Sequence, residues 1–263
     1  MKKLLAIFFF IVAVSFSLSA QGEIDEQEKV FYRNERTVGL NLNTNGLGIS
    51  YREGKRLDFL NKRIIDIDIN IIRHPKEVKL SNPWVQAGGS FVFGKMNHLF
   101  SIRGSIGHQH EMFRKMDLGG VAIRYFYSGG PSLALAKPIY YNVLYYSPDY
   151  SYEIRKEKFS NDIHSVTDIY NKASFFKGVN ETKVYPGLFV KGGFNFEYSQ
   201  DDKLVHAIEL GSSVEAYTNK LPIMATDDNR AVFLTLFVSY RIGVIIDPLK
   251  PESTRMPTLF FRK

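Results

Sequence analysis

The chain has 263 residues, a formal net charge of +7, 23% charged residues and no cysteine. The basic residues are interspersed with acidic ones and form no dense run, which argues against a nucleic-acid-binding protein. The absence of cysteine excludes a disulfide framework and a lipid-attached cysteine, so the fold must be held by its own core, by lipid or by partners.

The first twenty residues have the organisation of a secretory signal peptide. Lys2 and Lys3 form a positive n-region, residues 4–16 are almost wholly apolar, and "SLSAQ" allows cleavage after Ala20. An uncleaved membrane anchor is the alternative, although the apolar run is short for a span of ~20 residues. Residues 21–35 are then a periplasmic N-terminal segment. No later apolar run approaches ~18 residues, so the sequence predicts no transmembrane helix.

The chain up to residue 246 contains segments in which apolar and polar residues alternate, as they do in membrane-spanning strands of ~9–11 residues. Eight segments qualify: residues 37–52, 63–73, 97–109, 119–128, 132–145, 187–198, 204–217 and 231–242. The first is interrupted at 43–46, which is either a kink or a tight turn between two short strands. "SGGP" at 128–131 is taken as a turn, and Pro138 as a bulge or strand end.

The polar face of several of these segments carries full charges at mid-strand. The opposite face of each segment consists mainly of Ile, Val, Leu, Phe and Tyr. A soluble sandwich with its charges in water is one interpretation. An outer-membrane barrel is favoured because aromatic girdles flank the lipid-facing band of such barrels, and tyrosines lie near several predicted strand ends: Tyr51, Tyr125, Tyr127, Tyr198, Tyr217 and Tyr240. The sequence predicts an all-β fold, a transmembrane antiparallel up-and-down β-barrel over residues 36–246. It has about eight strands, or ten if "SFVFGK" at 90–95 adds a pair.

An eight-stranded barrel has an interior just wide enough for side chains to fill, which predicts a closed lumen. Charged side chains inside it must pair, because unpaired charges away from water are costly. The predicted ionic network consists of Asp66, Asp68, Arg103, Arg124, Lys191, Glu197, Glu209, Glu215 and Arg241, with Lys137 added if it faces inward.

An even strand count places both termini in the periplasm, together with "SGGP", "SQDDK" and the longer segment 74–89. Residues 147–183 then form an extracellular loop, with a short helix at about 164–176, and residues 247–263 form a periplasmic tail. The aromatic content of the loop favours contact with a partner over a self-packed loop, and the tail either docks on a partner or is disordered. The candidate partner contacts are Tyr150, Tyr152, Phe159, Tyr170, Phe175, Phe176, Leu259, Phe260 and Phe261.

No catalytic constellation occurs, so we expect neither enzymatic activity nor a cofactor. His108 and His110 in "HQHE" lie on one face of a strand, and a metal site there is the alternative to two ordinary rim histidines. Asp227, Asp228 and Asn229 resemble a calcium loop but lack further ligands, and are interpreted as a tight outer turn.

Four stretches together resemble a family of outer-membrane β-barrel proteins of Bacteroidota: "GLNLNTNGLGISYR", "RHPKE", "SFVFGKMNHLFSIRGSIGHQ" and "GGVAIRYFYSGGPSLALAKPIYY". The resemblance covers about 37–146 and implies location in the outer-membrane bilayer of a Gram-negative bacterium. In that phylum, small barrels serve as accessory subunits of the barrel-assembly machinery and of the protein-secretion apparatus. The expected function is therefore a non-enzymatic scaffold subunit of the assembly machinery, with a large assembly or secretion barrel and surface lipoproteins as partners. A secretion component or a narrow channel for ions or small solutes is the alternative.

Overall fold

The computed structural model describes residues 34–85, 88–116, 119–146, 151–161, 164–199 and 204–246. The predicted signal peptide, most of the segment at 21–35 and the tail at 247–263 lie outside these residues. Within the described ranges, no helix is both long and apolar enough to cross a membrane.

The described chain is almost entirely β-structure, with one 3-10 turn at Val179–Glu181. In chain order the strands are β1 (Asn34–Asn43), β2 (Gly46–Arg56), β3 (Asn61–Ile72), β4 (Lys79–Leu80), β5 (Phe91–Val92), β6 (Asn97–Phe113), β7 (Ala122–Pro138), β8 (Tyr140–Tyr146), β9 (Tyr152–Lys158), β10 (Ile169–Lys172), β11 (Lys183–Glu197), β12 (Leu204–Tyr217) and β13 (Val232–Ile246).

Eight of these strands close into a barrel in the order β1-β13-β12-β11-β7-β6-β3-β2. All neighbouring pairs are antiparallel, and β1 pairs with β2 on one side and with β13 on the other. Closure between the first and last barrel strands leaves no free sheet edge in the wall. The predicted eight-stranded, closed, up-and-down antiparallel fold is confirmed.

Three of the predicted segments are divided differently in the structure. Residues 37–52 belong to two strands joined by a turn at 44–45, so the tight-turn alternative is correct. Conversely, "SGGP" is not a turn, because it lies inside β7, which joins the fourth segment to residues 132–138 of the fifth, while residues 140–145 belong to β8. The β6–β7 pairing skips between Arg103↔Ser132 and Ile106↔Gly129, beside Pro131, which has no N–H to donate. The two errors offset each other, and the count of eight is unchanged.

Alternation decides which face of each strand lies outside. On β3, Ile67 and Ile69 are 37% and 43% exposed on the outer surface, whereas Asp66 and Asp68 are only 1% and 2% exposed. Because successive side chains of a strand point to opposite faces, the aspartates project into the lumen. The wall is therefore apolar outside and polar inside, the reverse of a soluble sandwich.

Three long connections lie at the end of the barrel opposite to the two termini: residues 73–96, 139–182 and 218–231. We call them the cap, and the opposite end the termini end. The sequence predicted that residues 74–89 lie on the same side as the termini. This prediction is wrong, because they lie in the cap. "SFVFGK" adds no barrel strands, since β5 pairs only with β4 in a separate two-stranded sheet.

The second sheet of the cap has the order β10-β8-β9. The predicted helix at 164–176 is wrong, because Ile169 is fully buried and pairs with Val143 of β8. Short apolar runs of this kind do not distinguish helix from strand by periodicity. The cap has its own core, which consists of Phe91, Ile139, Tyr141, Val143, Phe159 and Ile169.

Polar contacts join the cap connections to one another. The Tyr141 hydroxyl donates to the carbonyl oxygens of Val92 at 2.9 Å and Lys95 at 2.8 Å, and the Lys95 ammonium lies 2.6 Å from Glu77. The Asn82 amide donates to two carbonyl oxygens of the 139–182 connection, at 2.6 and 3.0 Å. The cap is therefore a folded structure above the barrel mouth and not a set of independent loops.

Candidate functional site: the filled lumen and the barrel surfaces

Arg52 lies at the centre of the ionic network in the lumen. Its Nε and Nη2 atoms donate to the Asp66 carboxylate at 2.6 and 3.1 Å, and Nη1 donates to Glu209 at 2.5 Å. The guanidinium also stacks 4.8 Å from the ring centroid of Phe126. The Asp66 carboxylate is shared with Lys191, whose Nζ lies 2.8 Å from Asp66 and 2.8 Å from Asp68. Arg52 of β2 therefore links its own strand to β3 and β12 across the lumen.

Glu209 is the second branching point of this central layer. In addition to Arg52, it accepts hydrogen bonds from Nε of Arg241 at 2.7 Å and from the Asn195 amide at 2.9 Å. Arg241 uses its other nitrogens to donate to the hydroxyls of Thr37 at 3.2 Å and Ser50 at 3.1 Å. Charge-assisted bonds of this kind satisfy groups that would be costly to bury alone.

A second layer lies nearer the cap. Arg103 forms a bidentate ion pair with Glu215, with Nε···O and Nη2···O distances of 3.0 and 2.6 Å. The same carboxylate accepts from the Ser101 hydroxyl at 2.6 Å and from the Tyr217 hydroxyl. Tyr217 thus points into the lumen and not to the lipid girdle, because its hydroxyl completes the Glu215 coordination.

A third layer lies at the termini end and is centred on Arg124. Its guanidinium contacts Glu197 and lies 3.6 Å from Glu111 and 3.8 Å from Glu35. Lys62 pairs with Glu35 at 2.6 Å. All of these side chains are less than a tenth exposed.

Each of the nine residues of the predicted network lies in the lumen and has an opposite charge within 4.0 Å. The network also contains residues that the sequence had not singled out, namely Glu35, Arg52, Lys62 and Glu111. All four share the inward phase of the alternation. Glu35, Lys62 and Glu111 lie near strand ends and outside the predicted segments, and Arg52 lies beyond the interruption of the first segment. Lys137 is not a member, because it lies on the outer face of β7, where its Nζ donates to carbonyl oxygens of Pro138 and Lys177.

The lumen is closed at the cap end by apolar side chains. Leu221 and Ile223 of the 218–231 connection are 0% and 1% exposed. They pack against residues of the barrel wall: Ile72, Leu99, Ala134, Ala136 and Tyr217. The central layer retains a cavity of about 10 Å³, lined in part by Asp68, Asn70 and Arg241, which is the space of about one water molecule. The described residues therefore leave no continuous pore.

The outer surface of the wall carries a continuous apolar band. On β13 every outward side chain from residue 232 to 242 is apolar or tyrosine, and each is between 42% and 71% exposed: Val232, Leu234, Leu236, Val238, Tyr240 and Ile242. Ten residue steps of ~3.3 Å at a strand tilt of ~40° span about 25 Å along the barrel axis. This is the height of the lipid-facing band of outer-membrane barrels.

The structure shows the surroundings of the two histidines that were considered as a possible metal site. His108 and His110 point outward from β6 beside the rings of Tyr127 and Tyr125, and His110 Nδ1 lies 2.7 Å from the Asn61 amide oxygen. No cluster of three or more metal-ligating side chains occurs among the described residues.

The Asp227–Asn229 motif lies in the cap as a turn. The Asn229 amide donates to the Met224 carbonyl at 2.7 Å, and Asp228 pairs with Lys76. The Lys76 ammonium lowers the pKa of the Asp228 carboxyl below its ordinary value.

The predicted partner contacts have different environments. Tyr152 is 63% exposed and Phe176 is 81% exposed, whereas Phe159 belongs to the cap core. Tyr170 is half-buried on β10, and Phe175 is exposed at the rim of the barrel. The remaining candidates lie outside the described residues: Tyr150, Leu259, Phe260 and Phe261.

The chain matches no protein-family model and no curated protein sequence. Among solved structures it is similar to Neisserial surface protein A, with 10% identity, a TM-score of 0.35 and coverage of 81% of this chain and 96% of that one. The N-terminal β-barrel domain of Pseudomonas aeruginosa OprF gives 8% identity, a TM-score of 0.34 and coverage of 81% and 97%. Ail, the attachment invasion locus protein of Yersinia pestis, gives 8% identity, a TM-score of 0.36 and coverage of 82% of this chain and 97% of that one. The barrel fold is shown by the strand pairing of this chain itself.

Proposed function

We propose that the chain is a non-enzymatic integral barrel of the bacterial outer membrane, and that it acts as an accessory scaffold subunit of an outer-membrane protein-assembly complex. The filled lumen carries this proposal. Three layers of ion pairs and an apolar plug occupy the space that a channel would need, as the contacts of Arg52, Arg124 and Leu221 illustrate. A barrel without a pore is suited to anchor partner proteins at the membrane.

The apolar outer wall supports the membrane location. Burying its exposed Val, Leu and Ile side chains in lipid is favourable by about 25 cal/mol per Å² of apolar surface. A soluble monomer rarely exposes a contiguous apolar patch as extensive as this band. Connections at the termini end are short, and those of the cap are long. In bacterial outer-membrane barrels the short turns are periplasmic, which supports periplasmic termini and a cap at the cell surface.

The cap supports the scaffold role. It is folded around its own core, and β9 is an edge strand of its sheet within the described residues. Tyr146, Tyr152 and Ile154 are 66%, 63% and 45% exposed at the upper part of this sheet. Exposed aromatic residues on a rigid sheet suit contact with a protein partner, such as a large assembly barrel or a surface lipoprotein. A subunit of a secretion apparatus would use the same features. The lumen argues against the channel alternative.

Affinity purification from native outer membranes tests the proposal. We expect stoichiometric recovery of a large barrel protein, and loss of that recovery when Tyr152 and Ile154 are both changed to Ser. A matched change of the exposed Val184 and Leu188 of the wall to Ala keeps the cap intact and should leave recovery unchanged. Isolation of the chain as a lone barrel, under conditions that preserve other outer-membrane complexes, would contradict the scaffold role.

A further inference from the structure

Residues 172–177, "KASFFK", place two phenylalanines between two lysines at the cap end of the barrel wall. Ala173 N–H donates to the Tyr140 carbonyl at 2.8 Å, and Lys177 N–H donates to the Ser174 carbonyl at 3.1 Å, which closes a tight turn. Gly178 follows with φ +82°, and a Cβ there would lie 2.8 Å from the Tyr140 ring. The turn is therefore held close to the rim of the barrel.

The turn lies against the outer face of the wall. The ring centroid of Phe175 is 6.3 Å from that of Phe100 and 5.8 Å from that of His98, two outward side chains of β6. Phe176 makes an edge-to-face contact with Phe175, with ring centroids 5.8 Å apart, and is itself 81% exposed. Phe100 belongs to the apolar face that continues down β6 through Ile102 and Ile106. The two phenylalanines thus extend the lipid-facing band upward.

The charges around this turn are cationic. Lys137 is only 5% exposed, its Nζ lies 4.6 Å from the Phe175 ring centroid, and it donates to carbonyl oxygens of Pro138 at 3.2 Å and Lys177 at 3.3 Å. Within the described residues, no carboxylate lies within 4.0 Å of the Lys137, Lys172 or Lys177 ammonium groups. The nearby Glu181 is paired with Lys158.

We infer that residues 172–177 form a membrane-interface anchor, in which Phe175 and Phe176 insert among the lipids and the exposed Lys172 and Lys177 bind the phosphates of anionic headgroups. The inference rests on the membrane location proposed above. Two features carry it: the continuity of the phenylalanines with the apolar band, and lysines that have no carboxylate within 4.0 Å among the described residues, the nearby Glu181 being paired with Lys158. Lysines suit such an interface because an apolar stem carries a charged end, and phenylalanines insert on the apolar side of it.

The depth of Phe176 can be measured with a tryptophan probe. The single native tryptophan, Trp84, is first changed to Phe. Trp is then placed at position 176, or at the exposed Ile154 of the cap sheet as the control, and the protein is reconstituted in vesicles that contain brominated phosphatidylcholine. We expect strong quenching in Phe176→Trp and weak quenching in Ile154→Trp. Equal quenching of the two would overturn the anchor.

The lysines are tested by titrating the detergent-solubilised protein with phosphatidylglycerol and counting bound lipids by native mass spectrometry. Lys172→Gln with Lys177→Gln removes two charges from the turn, and Lys79→Gln with Lys156→Gln removes two from the cap. A lysine at an anionic surface contributes a factor of ~5, so the first pair should weaken binding by ~30-fold. Binding of phosphatidylcholine should not change. Equal weakening by both pairs would overturn the headgroup assignment.

Failure of the anchor differs from failure of the membrane location. A Phe176→Trp barrel that inserts in vesicles and shows the heat-modifiable migration of a folded barrel, but whose tryptophan probe stays unquenched, overturns the anchor alone. A chain that does not insert overturns the membrane location and the anchor with it.

Discussion

Glu209→Gln is the substitution that should expose the energetics of the lumen most clearly. The Glu209 carboxylate is 1% exposed and neutralises Arg52 and Arg241, with contacts at 2.5 and 2.7 Å. Glutamine preserves the size and one acceptor oxygen but removes the negative charge. Arg52 retains Asp66 as its partner, whereas no other carboxylate among the described residues lies within 4.0 Å of Arg241.

The expected cost follows from leaving one buried guanidinium without a counter-ion. Removing one partner of a buried pair typically destabilises a protein by about 3–5 kcal/mol. Because Arg241 keeps its hydrogen bonds to Thr37 and Ser50, we expect the lower end, about 3 kcal/mol. Combining Glu209→Gln with Arg241→Met removes both charges. The double variant should therefore lose less stability than the sum of the single variants, by about 1–3 kcal/mol.

The measurement is a urea titration of the vesicle-reconstituted barrel, in which the folded fraction is read from the gel mobility of the unboiled protein. Glu153→Gln, on the exposed surface of β9, is the control and should leave the midpoint unchanged. Strictly additive effects of Glu209→Gln and Arg241→Met would refute the argument, because they would mean that the two side chains do not neutralise each other.

Three further predictions concern the plug, the wall and the cap. Leu221→Ala should lower the free energy of unfolding by about 3 kcal/mol, because it opens a cavity at a fully buried site, whereas Met116→Ala at an exposed site should not. Gly130→Ala should reduce the yield of folded barrel, since its Cβ would lie 2.1 Å from the Gly104 carbonyl oxygen, whereas Gly104→Ala meets nothing within 4 Å and should fold normally. Burial lowers the pKa of the Lys95 ammonium below its ordinary value of 10.5. The unfolded chain therefore binds more protons between the lowered and the ordinary pKa, and cap stability, followed by Trp84 fluorescence, should rise with pH in that interval. Lys95→Met should abolish this rise.

The orientation of the side chains follows from local alternation, which is why it could be predicted, whereas the count of eight was correct only because two errors in strand division offset each other. Asp66 and Asp68 alternate with isoleucines, and the period of two leaves only the choice of which face meets lipid. The predicted lumen residues all lie within segments whose alternation is continuous, so their phase is unambiguous. Arg52 has the same phase as Ser50 in β2, but the turn at 44–45 made the phase of that segment uncertain.

The division into strands could not be predicted, because glycine and proline have two different uses in a sheet. In "SGGP", Gly130 and Pro131 have the composition of a turn. In the structure Gly130 allows β6 and β7 to approach closely, and Pro131 lies where the ladder is interrupted. The inward phase of Ser128, Gly130 and Ser132 continues through this point without a break, and that continuity is the sequence feature that indicates a single strand.

The cap was the least predictable region because its contacts are formed between distant segments. Ile169 pairs with Val143, and Asn82 donates to the Thr167 carbonyl, 85 residues away in the chain. No local pattern encodes such partners, and the short runs around Ile169 fit a helix as well as a strand. Phe175 and Phe176 were considered protein contacts, and the membrane anchor proposed for them rests on the packing of Phe175 against the outward face of β6.

The central claim is that the lumen is closed, and recordings of single insertions in a planar lipid bilayer test it most directly. The purified barrel, shown to be folded by its heat-modifiable migration, should insert without producing unitary current steps. The cavity that remains in the central layer has room for about one water and not for a hydrated ion, and the Leu221–Ile223 plug closes the cap end. Reproducible conductance steps that disappear after the protein is heat-denatured would contradict the account.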